Sequence, residues 1–217
     1  MLLAVTVVFG AALCFFAPSI KTLNNTSYFT VDEDPDVRYQ EDVVEKVFET
    51  GDFFVVAFRE PDIFTFESLS LLKKLTEEIE SLEEVQDATS LANVNDMVGG
   101  EDYFSVEKFL EEVPRDPEGL RRLKERALGN PLYLKNLISA DGRTAAIVVF
   151  TYDRPEDPDY QKRLVDKVRA IVAPNGGAER FHLAGWPVTD TSLSQYMYRD
   201  LSKFVPLTFL FVVLTVV

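Results

Sequence analysis

The sequence predicts an α+β domain with a helical insertion, flanked by transmembrane helices. Three observations lead there. Charge is segregated along the chain, a strand-helix-strand pattern occurs twice in the charged part, and a long stretch separates the two occurrences. Of the 22 basic and 36 acidic residues, only Lys21 precedes Asp32 and none follows Lys203. The chain thus has an apolar head, a charged body and an apolar tail. The body is built for water, and the ends for lipid or for a core.

The head, Met1 to Ala17, carries no charge. A helix rises about 1.5 Å per residue, so crossing a bilayer core takes roughly 20 residues. Residues 1–20 therefore read as a short transmembrane helix. A secretory signal peptide needs a basic flank before the apolar run and a small-x-small cleavage site. No Lys or Arg precedes this run, and Phe15-Phe16-Ala17-Pro18 is a poor cleavage site. The missing basic flank leads us to expect further chain upstream. The tail, Phe204 to Val217, is uncharged and apolar on every face. A helix on a domain surface would show a polar side. Residues 189–217 are accordingly expected to form a helix leading into a second transmembrane helix, cut short at Val217.

With both ends in the membrane, residues 32–188 form one extracytoplasmic domain. Asn24 and Asn25 start two overlapping N-x-S/T sequons, which read better as chance than as glycan sites. A net charge of −14 repels phosphate backbones and excludes nucleic acid as a partner. Cys14 is the single cysteine, so neither an intrachain disulfide nor a cysteine-based metal site can form.

Within the body, Asp32 to Asp36 is an acidic, Pro-containing approach. Val37, Val43, Val44, Val47 and Phe48 then mark a short amphipathic helix ending at Gly51. Phe53 to Phe58, FFVVAF, is a strand by its aromatic and β-branched content. Leu69, Leu72, Leu75, Ile79 and Leu82 stripe a helix over Thr65 to Leu82, and Glu84 to Leu91 is a weaker strand. The order then repeats. Ala145 to Phe150 is a strand, Leu164, Val168 and Ile171 stripe a helix over Asp159 to Ala173, and Phe181 to Ala184 is the last strand. Two such units in tandem predict a ferredoxin-like, split β-α-β domain with both helices on one face of a four-stranded antiparallel sheet.

The insertion spans about 93–141. Gly99-Gly100 reads as a flexible turn, Val106 to Glu112 as a short helix, and Asp116 to Leu128 as another, with an Asp cap followed by Pro. An insertion this long needs structure of its own. After the last strand, Gly185, Trp186 and Pro187 form an exit turn and a candidate hinge between domain and membrane. Thr189 to Lys203 then reads as a helix running straight into the tail, a rigid coupling of domain to membrane.

Chemistry is conspicuous by its absence. The chain has no G-x-x-x-x-G-K and no G-x-S-x-G. His182 is the one histidine and reads as a half-buried packing residue of a strand. Asp32, Asp34 and Asp36 alternate like the start of an EF-hand loop, but Val37 replaces its glycine and Val43 its last glutamate. Arg59 at a strand end lacks the Gly-rich loop that an acylphosphatase-type hydrolase needs. No catalytic, cofactor-binding or metal-binding residue is assigned, and an enzyme is not expected. The Phe-rich strands and Trp186 read as packing rather than as the lining of a substrate route.

Several stretches, in order, resemble the first part of a resistance-nodulation-division (RND) exporter of the MMPL-like, hopanoid-transporter-like branch. They are Tyr28-Phe29 with Asp32 to Asp36, the passage from Phe48 to Phe58, Gly129-Asn130-Pro131-Leu132-Tyr133, Leu137 to Thr144, and Leu183-Ala184-Gly185-Trp186-Pro187. The likeness covers essentially the whole chain. It implies that 32–188 is a porter-type domain of a proton-driven exporter of hydrophobic or amphiphilic, lipid-like molecules in a cell (inner) membrane. It also implies that the proton-relay carboxylates belong to later membrane helices, with no counterpart here. The implied partners are the bilayer, the amphiphilic substrate, the remainder of the transporter chain and further copies of it. The competing expectation is a membrane-anchored extracytoplasmic ligand-binding or sensor module, which needs only the head as anchor.

Overall fold

The computed structural model describes residues 52–99, 104–152 and 159–216, with isolated positions 35, 39, 43, 154 and 157. The helix expected over 1–20, the sequons, and, but for those isolated positions, the acidic approach and the helix ending at Gly51 lie outside the described residues. Residues 39–188 form one compact unit, and residues from 189 onward belong to another.

The first unit is a mixed α+β structure. Strand β1 (Phe53–Arg59) is followed by helix α1 (Phe66–Glu80) and strand β2 (Val85–Thr89). Strands β3 (Asn95–Gly99) and β4 (Phe104–Lys108) and helix α2 (Pro117–Gly129) come next. Strand β5 (Thr144–Thr151), helix α3 (Tyr160–Val172) and strand β6 (Phe181–Gly185) complete it. The main sheet has the order β2-β5-β1-β6, and every neighbouring pair is antiparallel. Each half contributes one inner and one outer strand, the interleaving expected of two strand-helix-strand units.

Packing follows from two periodicities. Phe54, Val56 and Phe58 alternate along β1 and are fully buried. In register they face Val149, Ile147 and Ala145 of β5, which are buried as well. Directly paired residues of an antiparallel ladder share a face, so these six side chains make one apolar floor. Over it lie Leu69, Leu72, Leu75 and Ile79 of α1 and Leu164, Val165, Val168 and Val172 of α3, all in the same buried cluster. Helix α1 starts where Thr65 caps it, its Oγ1 accepting the Ser68 N–H at 3.1 Å. Helix α2 starts after Asp116, whose carboxylate accepts the Gly119 N–H at 2.7 Å, with Pro117 opening the helix. These caps satisfy donors that a first turn leaves open.

The insertion corrects one expectation. Residues 104–108 form strand β4, paired antiparallel with β3 from Asn95↔Lys108 to Gly99↔Phe104, not the start of a helix over 106–112. The spacing of Val106, Phe109 and Leu110 looks helical, but the three do not share a face. Phe109 and Leu110 are buried and Val106 is exposed. Phe109 N–H also donates to Val94 O at 2.9 Å, extending the hairpin ladder. Short apolar runs cannot be told apart by period alone. The insertion is therefore a hairpin plus a helix rather than purely helical.

The insertion is tied down by the motif that follows α2. Asn130 folds back on its own chain, its Oδ1 accepting the Leu132 N–H at 2.9 Å. That turn places Tyr133 so that its hydroxyl donates to Asn95 O at 3.2 Å and Asp96 Oδ1 at 3.0 Å. Arg126 reaches the other Asp96 oxygen at 2.6 Å and lies over the Phe109 ring. Burial, and then the Asp96 carboxylate, push the Tyr133 hydroxyl up to about 12. The folded protein thus holds this proton more tightly than the unfolded chain, whose tyrosines lose theirs near pH 10. The stabilisation is complete below about pH 10 and lost as pH rises toward about 12. We expect Tyr133→Phe to remove this tyrosine's part of the alkaline loss and to cost about 1 kcal/mol at neutral pH. Melting curves across that pH range check both, and an unaltered alkaline slope would refute the assignment.

Helix α4 (Trp186–Val216) begins directly after β6 and includes Pro206. It starts three residues earlier than the sequence indicates and continues through the apolar tail. Among the described residues, no helix is long and apolar enough to cross a membrane.

Candidate functional site

The strand sequence FFVVAF is apolar at every position, whereas a sheet covered on one side only should alternate apolar with polar. The structure shows where the surplus goes. The helices cover the face carrying Phe54, Val56 and Phe58. The opposite face bears Phe53, Val55 and Ala57 of β1, paired in register with Phe150, Val148 and Ala146 of β5. Ala184 of β6 stands beside Val55. Phe53 and Phe150 are 54% and 37% exposed, with ring centroids 6.0 Å apart. Val55, Ala57, Ala146 and Val148 are half-buried. The result is an open apolar strip through the middle of the sheet.

Polar groups sit at its margins. Asp87 pairs with Phe150 and Thr89 with Val148 along the β2 side, and Thr89 Oγ1 donates to Asp87 Oδ2 at 2.7 Å. His182 pairs with Ala57 on the β6 side. It is exposed rather than half-buried, because it lies on an edge strand, on the face that the described helices α1 and α3 leave uncovered. Among the described residues, nothing on this face pairs an acid with a base for proton transfer. Among the described residues, no group of three or more His, Cys, Asp or Glu side chains is placed to hold a metal ion.

Beside β2, Glu80, Asp87, Thr89, Asn93, Val94, Asn95 and Lys108 line a recess of about 530 Å³. Its walls are polar and of mixed charge, so it offers little to an apolar ligand. Asn93 is committed to its own turn, accepting the Ser90 N–H at 2.9 Å and donating to Ala88 O at 2.6 Å.

At the end of the sheet where Phe53 and Phe150 lie, β6 gives way to α4. Gly185 is the last residue of the ladder, opposite Phe54, with φ of +142°. A Cβ built there would lie 2.7 Å from both Cα and Cβ of Phe54 and 2.9 Å from the Phe53 carbonyl oxygen. The backbone of β1 itself fills the space of a side chain. Trp186 follows, 51% exposed, and Pro187 sits in the first helical turn, where a missing N–H costs nothing. The three residues singled out as an exit turn are thus a strand end and a helix start with no linker between them.

The sequence missed the exposed half of the Phe-rich strands. Phe54 and Phe58 are packing, as expected, but Phe53 and Phe150 are not. The available signal was the continuous apolar run itself, in a sheet expected to carry helices on one face only.

The chain was also compared with known proteins. No curated protein matches it. Residues 63–217, most of the chain, match the family model described as MMPL family. That span begins after β1 and takes in the rest of the main sheet, the insertion and the whole of α4, and on this ground the chain belongs to the MMPL family, a family of membrane transporters.

Proposed function

We propose that this chain is the first extracytoplasmic, porter-type domain of a proton-driven RND exporter, together with its flanking membrane helices, and that its cargo is hydrophobic or amphiphilic. The observation that carries this reading is the open apolar strip of the sheet, with Phe53 and Phe150 exposed. Such a strip suits the alkyl part of an amphiphile, because apolar contact is non-directional and tolerant of shape. A site chosen for one polar ligand would place convergent hydrogen-bonding groups instead. Gly185, Trp186 and Pro187 would act as the hinge that passes motion between this strip and the membrane. The proton-relay carboxylates would lie outside this chain, and the family match does not reach the level of a hopanoid-transporting branch. A membrane-anchored binding or sensor module gains nothing from these observations.

The test is efflux of a lipophilic dye from cells carrying the complete gene product. Efflux should stop when a protonophore collapses the proton gradient. Phe150→Asn should lower it several-fold while leaving the melting temperature within a few degrees, since the ring is partly solvated already and a neutral side chain sets no like charge opposite Asp87. Dye retention with no response to the protonophore would remove the exporter reading.

A further inference from the structure

We propose that residues 196–203 of α4 form a collar lodged in the headgroup layer of a bilayer, so that the membrane surface crosses the helix just before Phe204. The inference rests on the membrane reading above and places its boundary. Four of the collar's residues carry the argument, Tyr196, Tyr198, Arg199 and Lys203.

Beyond Lys203 the helix has no charged residue, and large apolar side chains including Phe204, Leu207, Leu210, Phe211 and Leu214 stand exposed. The turns just before it are unlike either neighbour. Tyr196 is 64% exposed and Tyr198 51%, and Leu193, Met197 and Leu201 are exposed as well. Successive residues of an α-helix are turned by about 100°, which places the two tyrosines about 160° apart around the axis. A packed protein helix would meet one stripe of such residues. Aromatic side chains on opposite sides fit a surrounding that is the same in every direction, with an apolar layer on one end and water on the other. Tyrosine favours that boundary because its ring is apolar and its hydroxyl is not.

Charge supports the same occupant. The charged residues of α4 are Asp190, Arg199, Asp200 and Lys203, and they cancel within a chain of net charge −14. This stretch is therefore spared the repulsion that the rest of the chain exerts on headgroup phosphates. Both cations lie within the last five residues before the apolar segment, close enough for their heads to reach phosphate while their stems lie along apolar surface. Ser202 Oγ donates to Arg199 O at 2.8 Å, which keeps its hydroxyl on the helix rather than in lipid.

The experiment uses the full chain reconstituted in vesicles of phosphatidylcholine and phosphatidylglycerol. With the native indole removed by Trp186→Phe, single tryptophans are placed by Tyr196→Trp, Tyr198→Trp and Leu210→Trp in separate proteins. Emission is quenched with lipids brominated near the carbonyl or near the chain end, and with aqueous acrylamide. We expect blue-shifted emission at both collar positions, with stronger quenching from the shallow bromine than from the deep one. Leu210→Trp should be quenched most by the deep bromine. Water-like emission and full acrylamide quenching at both tyrosine positions, with Leu210→Trp still deep, would overturn the collar and leave the membrane reading intact. Protection at only one of them would mean a one-sided protein contact and overturn it equally. If Leu210→Trp is itself open to acrylamide, the membrane reading falls and the collar with it.

Discussion

Gly185→Val lowers the stability of the sheet-containing unit by roughly 3–5 kcal/mol, from left-handed backbone strain and overpacking together. Two causes act at one residue. The φ of +142° is one that L side chains rarely adopt. The new Cβ would also meet Phe54 Cα and Cβ at 2.7 Å and the Phe53 carbonyl at 2.9 Å. Two of these atoms are backbone of β1, and Phe54 is completely buried under the helices. Relief requires β6 to separate from β1, which breaks the pairing from Phe54↔Gly185 to Phe58↔Phe181. For a domain of this size the loss corresponds to a melting temperature about 10 °C lower, read by circular dichroism. Gly177→Ala is the matching control. Gly177 also has positive φ, +52°, but nothing lies within 4 Å of its Cβ position, so only the backbone term remains, about 1 kcal/mol. Equal melting temperatures for the two variants would show that the close approach to β1 is not what requires glycine at 185.

Tyr160→Phe should cost about 2–3 kcal/mol, although it removes a single oxygen. The Tyr160 ring is buried at the start of α3. Its hydroxyl donates to Glu84 O and accepts the Tyr152 N–H at 3.1 Å, joining the ends of β2 and β5. Phenylalanine fills the same space and leaves both backbone groups without that partner, the expensive way to lose a hydrogen bond. Burial first of all holds the Tyr160 hydroxyl above its ordinary value, in keeping with its use as a neutral donor. Urea unfolding reads the change, and an unshifted midpoint would mean that water replaces the hydroxyl at no cost.

The same corner sets an acid limit. The Glu84 carboxyl is hydrogen-bonded by Lys167, which holds it below the usual carboxylate range. A lowered folded value means that the pair stabilises the fold at neutral pH. That contribution is lost as pH falls below about 4, where the unfolded chain takes up the proton first.

Much of the fold was legible in the residues because it is local. The stripe Leu69, Leu72, Leu75 and Ile79 has the helical period, and Asp116-Pro117 is a helix start whatever surrounds it. The tandem order of strand, helix and strand was enough to expect the interleaved sheet, since two such units have few ways to bury one apolar face each. The insertion was misread where the pattern was too short to carry a period. Val106, Phe109 and Leu110 were divided between a hairpin and the main core by contacts that the sequence does not state.

The residues by themselves determined the segregation of charge, the strand and helix segments of the main sheet, and the apolar end of α4, because each depends on near neighbours in the chain. Only the tertiary structure decided that Phe53 and Phe150 stand open while Phe54 and Phe58 are sealed. Strand register, set by partners about 90 residues apart in sequence, assigns each side chain to one face or the other, and helices α1 and α3 both cover the same one. Gly185 carries the same lesson. Its position between strand and helix could be read from the sequence, but the backbone of β1 that forbids any other residue there comes from elsewhere in the chain.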